Sequence, residues 1–147
     1  MGIIIRKMKE EDLDRIMEIE KDAFTTPWTR EAFLLEITKN QLARYIVAEI
    51  DDVVVGYGGI WLILDEGHIT NIAVESKYRN IGAGKAIVEA LISLCIKQNI
   101  GGMTLEVRES NIVAQHLYKN YGFIESGIRP NYYADDNENA IIMWKKL

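Results

Sequence analysis

The spacing of apolar positions along this chain changes period several times, and each change marks an element. Ile3, Ile4 and Ile5 followed by charges predict a short strand. Leu13, Ile16, Met17, Ile19 and Phe24 recur at helical spacing, predicting a helix over 10–24. Pro27-Trp28 breaks that pattern, and Thr29 is placed to cap a second helix running to about Asn40. Residues 45–50 and 53–62 read as a hairpin around Asp51-Asp52, with Gly56, Gly58 and Gly59 hinting at a bulge or kink. A strand over 68–74 follows, then a helix over 82–98 with Ile87, Leu91 and Leu94 facing inward, then a strand over 103–107. A short helix over 111–121 closes at Gly122, and strands near 123–132 and 140–145 end the chain. Between these last two, 135–139 is polar enough to predict a solvated hairpin tip. The predicted order is β-α-α-β-β-β-α-β-α-β-β, with one strand-helix-strand crossover. There is no internal repeat, low-complexity tract or linker, so a single domain over 1–147 is expected.

A chain of 147 residues can bury roughly two-thirds of its unfolded surface, and 48% hydrophobic with 27% charged residues is a globular composition. No stretch approaches the ~20 apolar residues of a membrane span, and the first residues lack the apolar region of a signal peptide. A cytoplasmic protein without membrane contact is expected. One cysteine excludes an internal disulfide, and two histidines without clustered ligand spacing predict no metal site. A net charge of −5 argues against nucleic acid as the main partner.

The stretch from Asn71 to Lys85 changes this picture most. An apolar strand and a polar turn lead into Arg79, Asn80, Ile81, Gly82, Ala83, Gly84 and Lys85, where small residues open a helix. The unpaired N–H groups of a helix N-terminus and its positive dipole end suit a pyrophosphate. Ile87 stands where a dinucleotide fingerprint needs its third small residue, and Ala86 stands where a P-loop needs Ser or Thr.

Two further residues suggest chemistry. Glu106 lies between Leu105 and Val107 on a strand expected to be apolar on both faces. It either lines a cleft, meets solvent, or pairs with Arg108. Tyr118 carries a hydroxyl suited to proton donation, or simply packs its helix on the sheet with Leu117 and Tyr121. Asn111 is placed as an N-cap. Cys95 reads as core, and His68 and His116 as structural or surface residues.

The motif Arg79-x-x-Gly82-x-Gly84 resembles the coenzyme A signature of the GNAT superfamily of N-acetyltransferases. The element order, Leu105-Glu106-Val107-Arg108, Asn111, Leu117-Tyr118, Gly122-Phe123, Asn131-Tyr132-Tyr133 and the Phe24, Pro27-Trp28 loop together resemble its ribosomal-protein-alanine (RimI-type) branch. Pro130 departs from that pattern, standing where many such proteins carry a basic residue. The resemblance implies an α/β (α+β) acyl-CoA N-acyltransferase fold: a mixed, mostly antiparallel sheet of six or seven strands flanked by four helices, with parallel central strands splayed at a cleft. It implies acetyl-CoA as donor, Glu106 as general base and Tyr118 as general acid. Ile72, Ala73 and Val74 would offer backbone groups to the pantetheine arm, Asn111 a hydrogen bond, and residues 79–85 the pyrophosphate cradle. Phe24, Pro27, Trp28, Tyr132 and Tyr133 would flank the acceptor, a protein N-terminus such as that of a ribosomal protein beginning with alanine. An α-amine titrates near 8 and a lysine near 10.4, which favours the first as acceptor. Other acceptors in the same class are a broader set of N-termini, lysines or small amines. A module that binds acyl-CoA without turnover is the alternative of another class.

Overall fold

In the computed structural model, which describes residues 2–147, seven strands form one sheet in the order β1-β2-β3-β4-β5-β7-β6. They are β1 (Ile4–Lys7), β2 (Ala43–Ile50), β3 (Val53–Ile63), β4 (Glu66–Val74), β5 (Gly102–Arg108), β6 (Ile124–Arg129) and β7 (Ala140–Lys146). Four α-helices accompany them: α1 (Leu13–Ala23), α2 (Arg30–Thr38), α3 (Ala83–Lys97) and α4 (Ile112–Asn120). The predicted element order is the observed one. Every neighbouring pair is antiparallel except β4 and β5.

Two apolar layers cover the sheet. On one face, Ile87, Val88, Leu91 and Cys95 of α3 pack on Val55, Ile60, Met103, Leu105 and Met143, and Tyr118 and Phe123 extend this layer beneath α4. On the other, Leu13, Ile16 and Ile19 of α1 and Phe33 of α2 enclose Tyr45, Val47 and Tyr57. Helix α3 lies close to β3 because β3 is glycine-rich: a Cβ at Gly58 would fall 2.5 Å from Ile87, and one at Gly56 2.8 Å from the Ala73 carbonyl.

Several boundaries differ from those predicted. The first strand starts at Ile4, and the first helix opens with a 3-10 turn at Glu10–Asp12. There Asp12 accepts from the Lys9 N–H and pairs with Arg6. Strand β6 ends at Arg129 rather than near Tyr132, because Asn131 turns the backbone to φ +55°. Leu94 is only half-buried; its neighbour Cys95 takes the core position. The segment 135–139 lies in the exposed connection between β6 and β7, as expected, and its carboxylates also fold back on Arg108.

The feature that positions a site is the parting of β4 and β5. Their parallel pairing covers only Glu66↔Gly102, Gly67↔Met103 and His68↔Thr104. Both strands then continue, to Val74 and Arg108, without pairing. A bulge on β4 sits where they separate: Gly59 pairs Asn71 and Ile60 pairs Ile69, leaving Thr70 as the extra residue. From Thr70 onward the backbone edge of β4 that faces β5 has no strand to satisfy it.

Candidate active site

A cleft of about 590 Å³ opens where β4 and β5 part. Its walls carry Ile72, Glu106, Asn111 and Tyr118 together with Phe24, Trp28 and Tyr133, residues drawn from five separate parts of the sequence. Pro27, Ala73, Val74, residues 79–85 and Tyr132 do not line this cavity.

Glu106 projects from β5 with its side chain 8% exposed. His68 Nε2 lies 2.8 Å from its Oε1, the Tyr132 hydroxyl donates to the same oxygen at 3.3 Å, and Arg129 Nε stands 3.7 Å from Oε2. The His68 hydrogen bond leads in holding this carboxyl below its usual range, against the opposing effect of burial. Glu106 is therefore ionised at neutral pH. Arg108, one alternative partner, is fully engaged elsewhere. His68, read from the sequence as structural or surface, is partly exposed and is the closest partner of Glu106. The register places it opposite Thr104, two residues before Glu106, a relation that exists only once β4 and β5 pair.

Tyr118 lies on the inner side of α4, 8% exposed, its ring 5.8 Å from that of Phe123. Burial raises its pKa well above the usual phenol value, so it holds its proton throughout the neutral range. Its hydroxyl makes no hydrogen bond to any other described residue, and the cleft is where it can find a partner. Both readings of Tyr118 hold together, since its ring packs while it lines the cavity. Asn111 caps α4, its Oδ1 accepting from the Ala114 N–H at 3.1 Å.

The glycine turn lies at the N-terminus of α3. Gly82, at φ +93°, caps the helix in a left-handed conformation that a side chain would strain, and Asn80 precedes it at φ +64°. The N–H groups of the first turn have no carbonyl partner in the helix, which makes this end suited to an anion. Ala83 is small for another reason: its methyl is buried in the core. Arg79 donates from Nε to the Val74 carbonyl at 3.2 Å, and Lys85 is exposed at the rim.

The opposite wall is made of side chains. Arg108 donates from Nη1 to Asp136 and Glu138 and from Nη2 to Asp135, at 2.9 to 3.0 Å, and stacks 4.0 Å above the Tyr133 ring. Thr25 donates to Asp135 at 2.7 Å, which ties the loop after α1 to the loop before β7. Glu20, on α1, is 1% exposed and also lines the cleft. It was readable as a carboxylate interrupting an apolar stripe, four residues after Ile16 and seven after Leu13. Burial pushes its pKa up to about 7. No described group of three or more His, Cys, Asp or Glu side chains could hold a metal ion, and no described helix is long and apolar enough to cross a membrane.

This arrangement brings an ionised carboxylate and a protonated phenol to one cleft, with free strand backbone along it and, at the start of α3, a helix end suited to an anion. It fits acyl transfer from a phosphate-bearing thioester to an amine. Comparison with known proteins agrees. The Acetyltransferase (GNAT) family matches residues 13–123. A Bacillus subtilis protein provisionally named a ribosomal protein bS18-alanine N-acetyltransferase is 44% identical over 140 residues, 95% of this chain and 93% of its own length. The Escherichia coli ribosomal protein bS18-alanine N-acetyltransferase is 36% identical over 143 residues, 95% of this chain and 94% of its own. The crystal structure of the Escherichia coli ribosomal-protein-S18-alanine N-acetyltransferase superimposes with a TM-score of 0.90 at 32% identity, covering 99% of this chain and 94% of that one.

Proposed function

This chain belongs to the acetyltransferase (GNAT) family, and we propose that it moves the acetyl group of acetyl-CoA directly to the N-terminal α-amine of a protein, a ribosomal protein beginning with alanine. The observation that carries this reading is the parting of β4 and β5 into a cleft that Glu106 and Tyr118 both line. The acceptor follows from the names of the relatives, and a cytoplasmic location agrees with an acceptor made there.

In this reading the first turn of α3 and the rim cations Arg79 and Lys85 hold the pyrophosphate of acetyl-CoA. The unpaired edge of β4 at Ile72, Ala73 and Val74 hydrogen-bonds the pantetheine arm. The bulge at Thr70 would turn unpaired backbone N–H groups toward the thioester oxygen, where they stabilise developing charge. The acceptor amine enters between the loop 24–28 and the segment 131–138.

Glu106, with its lowered pKa, is a weak base toward an α-ammonium. Its negative charge attracts that ammonium; once the ammonium has lost one proton to water the neutral amine attacks the thioester carbon, and the nitrogen, cationic and acidic as the N–C bond forms, gives its proton to Glu106. His68 and Tyr132 fix the carboxylate during this step. Collapse of the tetrahedral intermediate expels the thiolate, which takes the Tyr118 proton. A phenol that keeps its proton through the neutral range is available to a leaving thiolate. No covalent enzyme intermediate is required, and Cys95 is buried in the core on α3.

Mass spectrometry of acetyl transfer tests this. One peptide carries a free N-terminal Ala, and a matched one has that end blocked and a lysine exposed. The expected result is acetylation of the first alone, collapsing in Tyr118→Phe. Lysine modification alone would overturn the acceptor, and acetyl-CoA binding without transfer to a broad amine panel would overturn the enzyme.

A further inference from the structure

Glu20 is a buried carboxylate that the acetyl-transfer steps do not use. Its neighbours on the α1 stripe, Leu13, Ile16 and Ile19, are fully buried and apolar, and an apolar residue at position 20 would complete the stripe. A carboxylate there carries a desolvation cost, which its raised pKa registers. What this side chain serves is therefore not the α1 packing.

Its contacts identify the service. The main-chain carbonyl of Glu20 accepts the Phe24 N–H at 2.9 Å, and its Oε2 accepts the Trp28 N–H at 2.8 Å. One residue thus holds both ends of the loop 24–28, where Phe24 and Trp28 face the cleft. Its Oε1 accepts from the Tyr57 hydroxyl of β3, which in turn accepts from Asn71 Nδ2 at 3.2 Å. Asn71 Oδ1 receives the Thr70 hydroxyl at 3.0 Å, so the chain of bonds ends on the β4 bulge. Trp28 packs its ring 5.2 Å from Phe33 of α2, which anchors its indole but leaves its backbone N–H dependent on Glu20.

We propose that Glu20 is a positioning residue that clamps the Phe24–Trp28 loop to Tyr57 and the Thr70–Asn71 bulge, and so sets the distance between the acceptor wall and the strand edge where the thioester lies. This rests on the acetyl-transfer reading for what enters the cleft; the clamp itself does not. Glu20 touches neither reacting atom. It acts through Trp28 and Asn71, and its loss falls on acceptor binding rather than on donor binding at the far end of the cleft.

The test uses the full chain with Glu20→Leu, Glu20→Gln and Tyr57→Phe. Steady-state kinetics vary the Ala-initiated peptide and acetyl-CoA separately, and hydrogen–deuterium exchange follows the Trp28 amide. In Glu20→Leu the peptide KM should rise about tenfold, the effect of losing one buried hydrogen bond, with the acetyl-CoA KM held. Exchange at Trp28 should accelerate by at least a similar factor. Glu20→Gln keeps an acceptor for that N–H and should restore both readouts. Tyr57→Phe, which leaves the loop bond intact, should raise the peptide KM without speeding Trp28 exchange, and it decides the point if Glu20→Leu does not fold. Equal rises in both KM values, or Trp28 exchange unchanged in Glu20→Leu, would overturn the clamp. Glu20→Gln behaving like Glu20→Leu would overturn it in favour of a charge effect. Wild type that acetylates no amine would sink the acetyl-transfer reading while the exchange result still judges Glu20.

Discussion

The two walls of the cleft are built on different physical plans. The wall proposed for the donor is one contiguous stretch, the end of β4 and the turn into α3, and it presents main chain: an unpaired strand edge, Gly82 at φ +93° and the free N–H groups of a helix start. The acceptor wall is assembled from three loops and presents side chains. Arg108 gathers Asp135, Asp136 and Glu138, and Thr25 bonds Asp135 across 110 positions of sequence. A coenzyme is the same molecule for every acceptor, so a wall of backbone groups can serve it with little dependence on side-chain identity. An acceptor's identity has to be read by side chains, which can be exchanged without altering the fold.

Breaking the seam between the walls should have the largest effect. Glu106→Gln removes the proton acceptor but keeps the shape, so kcat/KM should fall about 10²–10⁴-fold. Both KM values should stay near those of the unaltered chain, as substrate titrations of the acetylation rate would show. A loss confined to the acetyl-CoA KM would instead place Glu106 on the donor wall.

The acceptor wall should show a pH signature that the donor wall lacks. The folded pKa of Glu20, about 7, lies above its ordinary value of 4.5, so the folded chain holds this proton more tightly than the unfolded chain. The stability it contributes is full below pH 4.5 and is lost as pH rises through 7, on the order of 3 kcal/mol. Glu106, Glu75 and Asp12 have lowered values and act in the opposite sense, losing their contribution as pH falls below the ordinary values of 4.5 for the two glutamates and 3.8 for the aspartate. Urea unfolding of the chain and of Glu20→Gln across pH 4.5 to 8 isolates the effect: the difference between them should flatten above 7. Parallel curves would refute it.

The smallest effects separate the walls most cleanly. Gly82→Ala places a Cβ at positive φ, costing roughly 1–2 kcal/mol of stability, and should raise the acetyl-CoA KM while leaving the peptide KM. Arg108→Met frees three carboxylates from their common cation and should do the reverse, raising the peptide KM severalfold. If either variant moved both constants together, the two walls would not be independent.

The donor wall was legible in the sequence because its parts are local. Arg79, Gly82 and Gly84 occur within six residues, and a left-handed glycine before a helix is determined by backbone sterics in its own neighbourhood. The same holds for Thr29 and Asn111, whose caps the chain forms as expected. Glu106 was legible as an anomaly of pattern, a carboxylate on an apolar strand, whereas Tyr118 on its short helix stood out by its hydroxyl and by the family resemblance. The partners of Glu106 were not, since His68 lies 38 positions away and Tyr132 is 26 away.

What the sequence determined by itself, then, is the order of elements, their apolar faces and the glycine turn that opens α3, because each follows from alternation, helical spacing or the conformation of a single residue. Only the tertiary structure decided that His68 meets Glu106, that the carboxylates of the exposed segment 135–139 gather on Arg108, and that Glu20 bonds a loop eight residues on. Those depend on where β4 and β5 stop pairing and on which loops that gap brings within hydrogen-bond reach. Such distances are fixed by the packing of the whole sheet, and no local pattern encodes them.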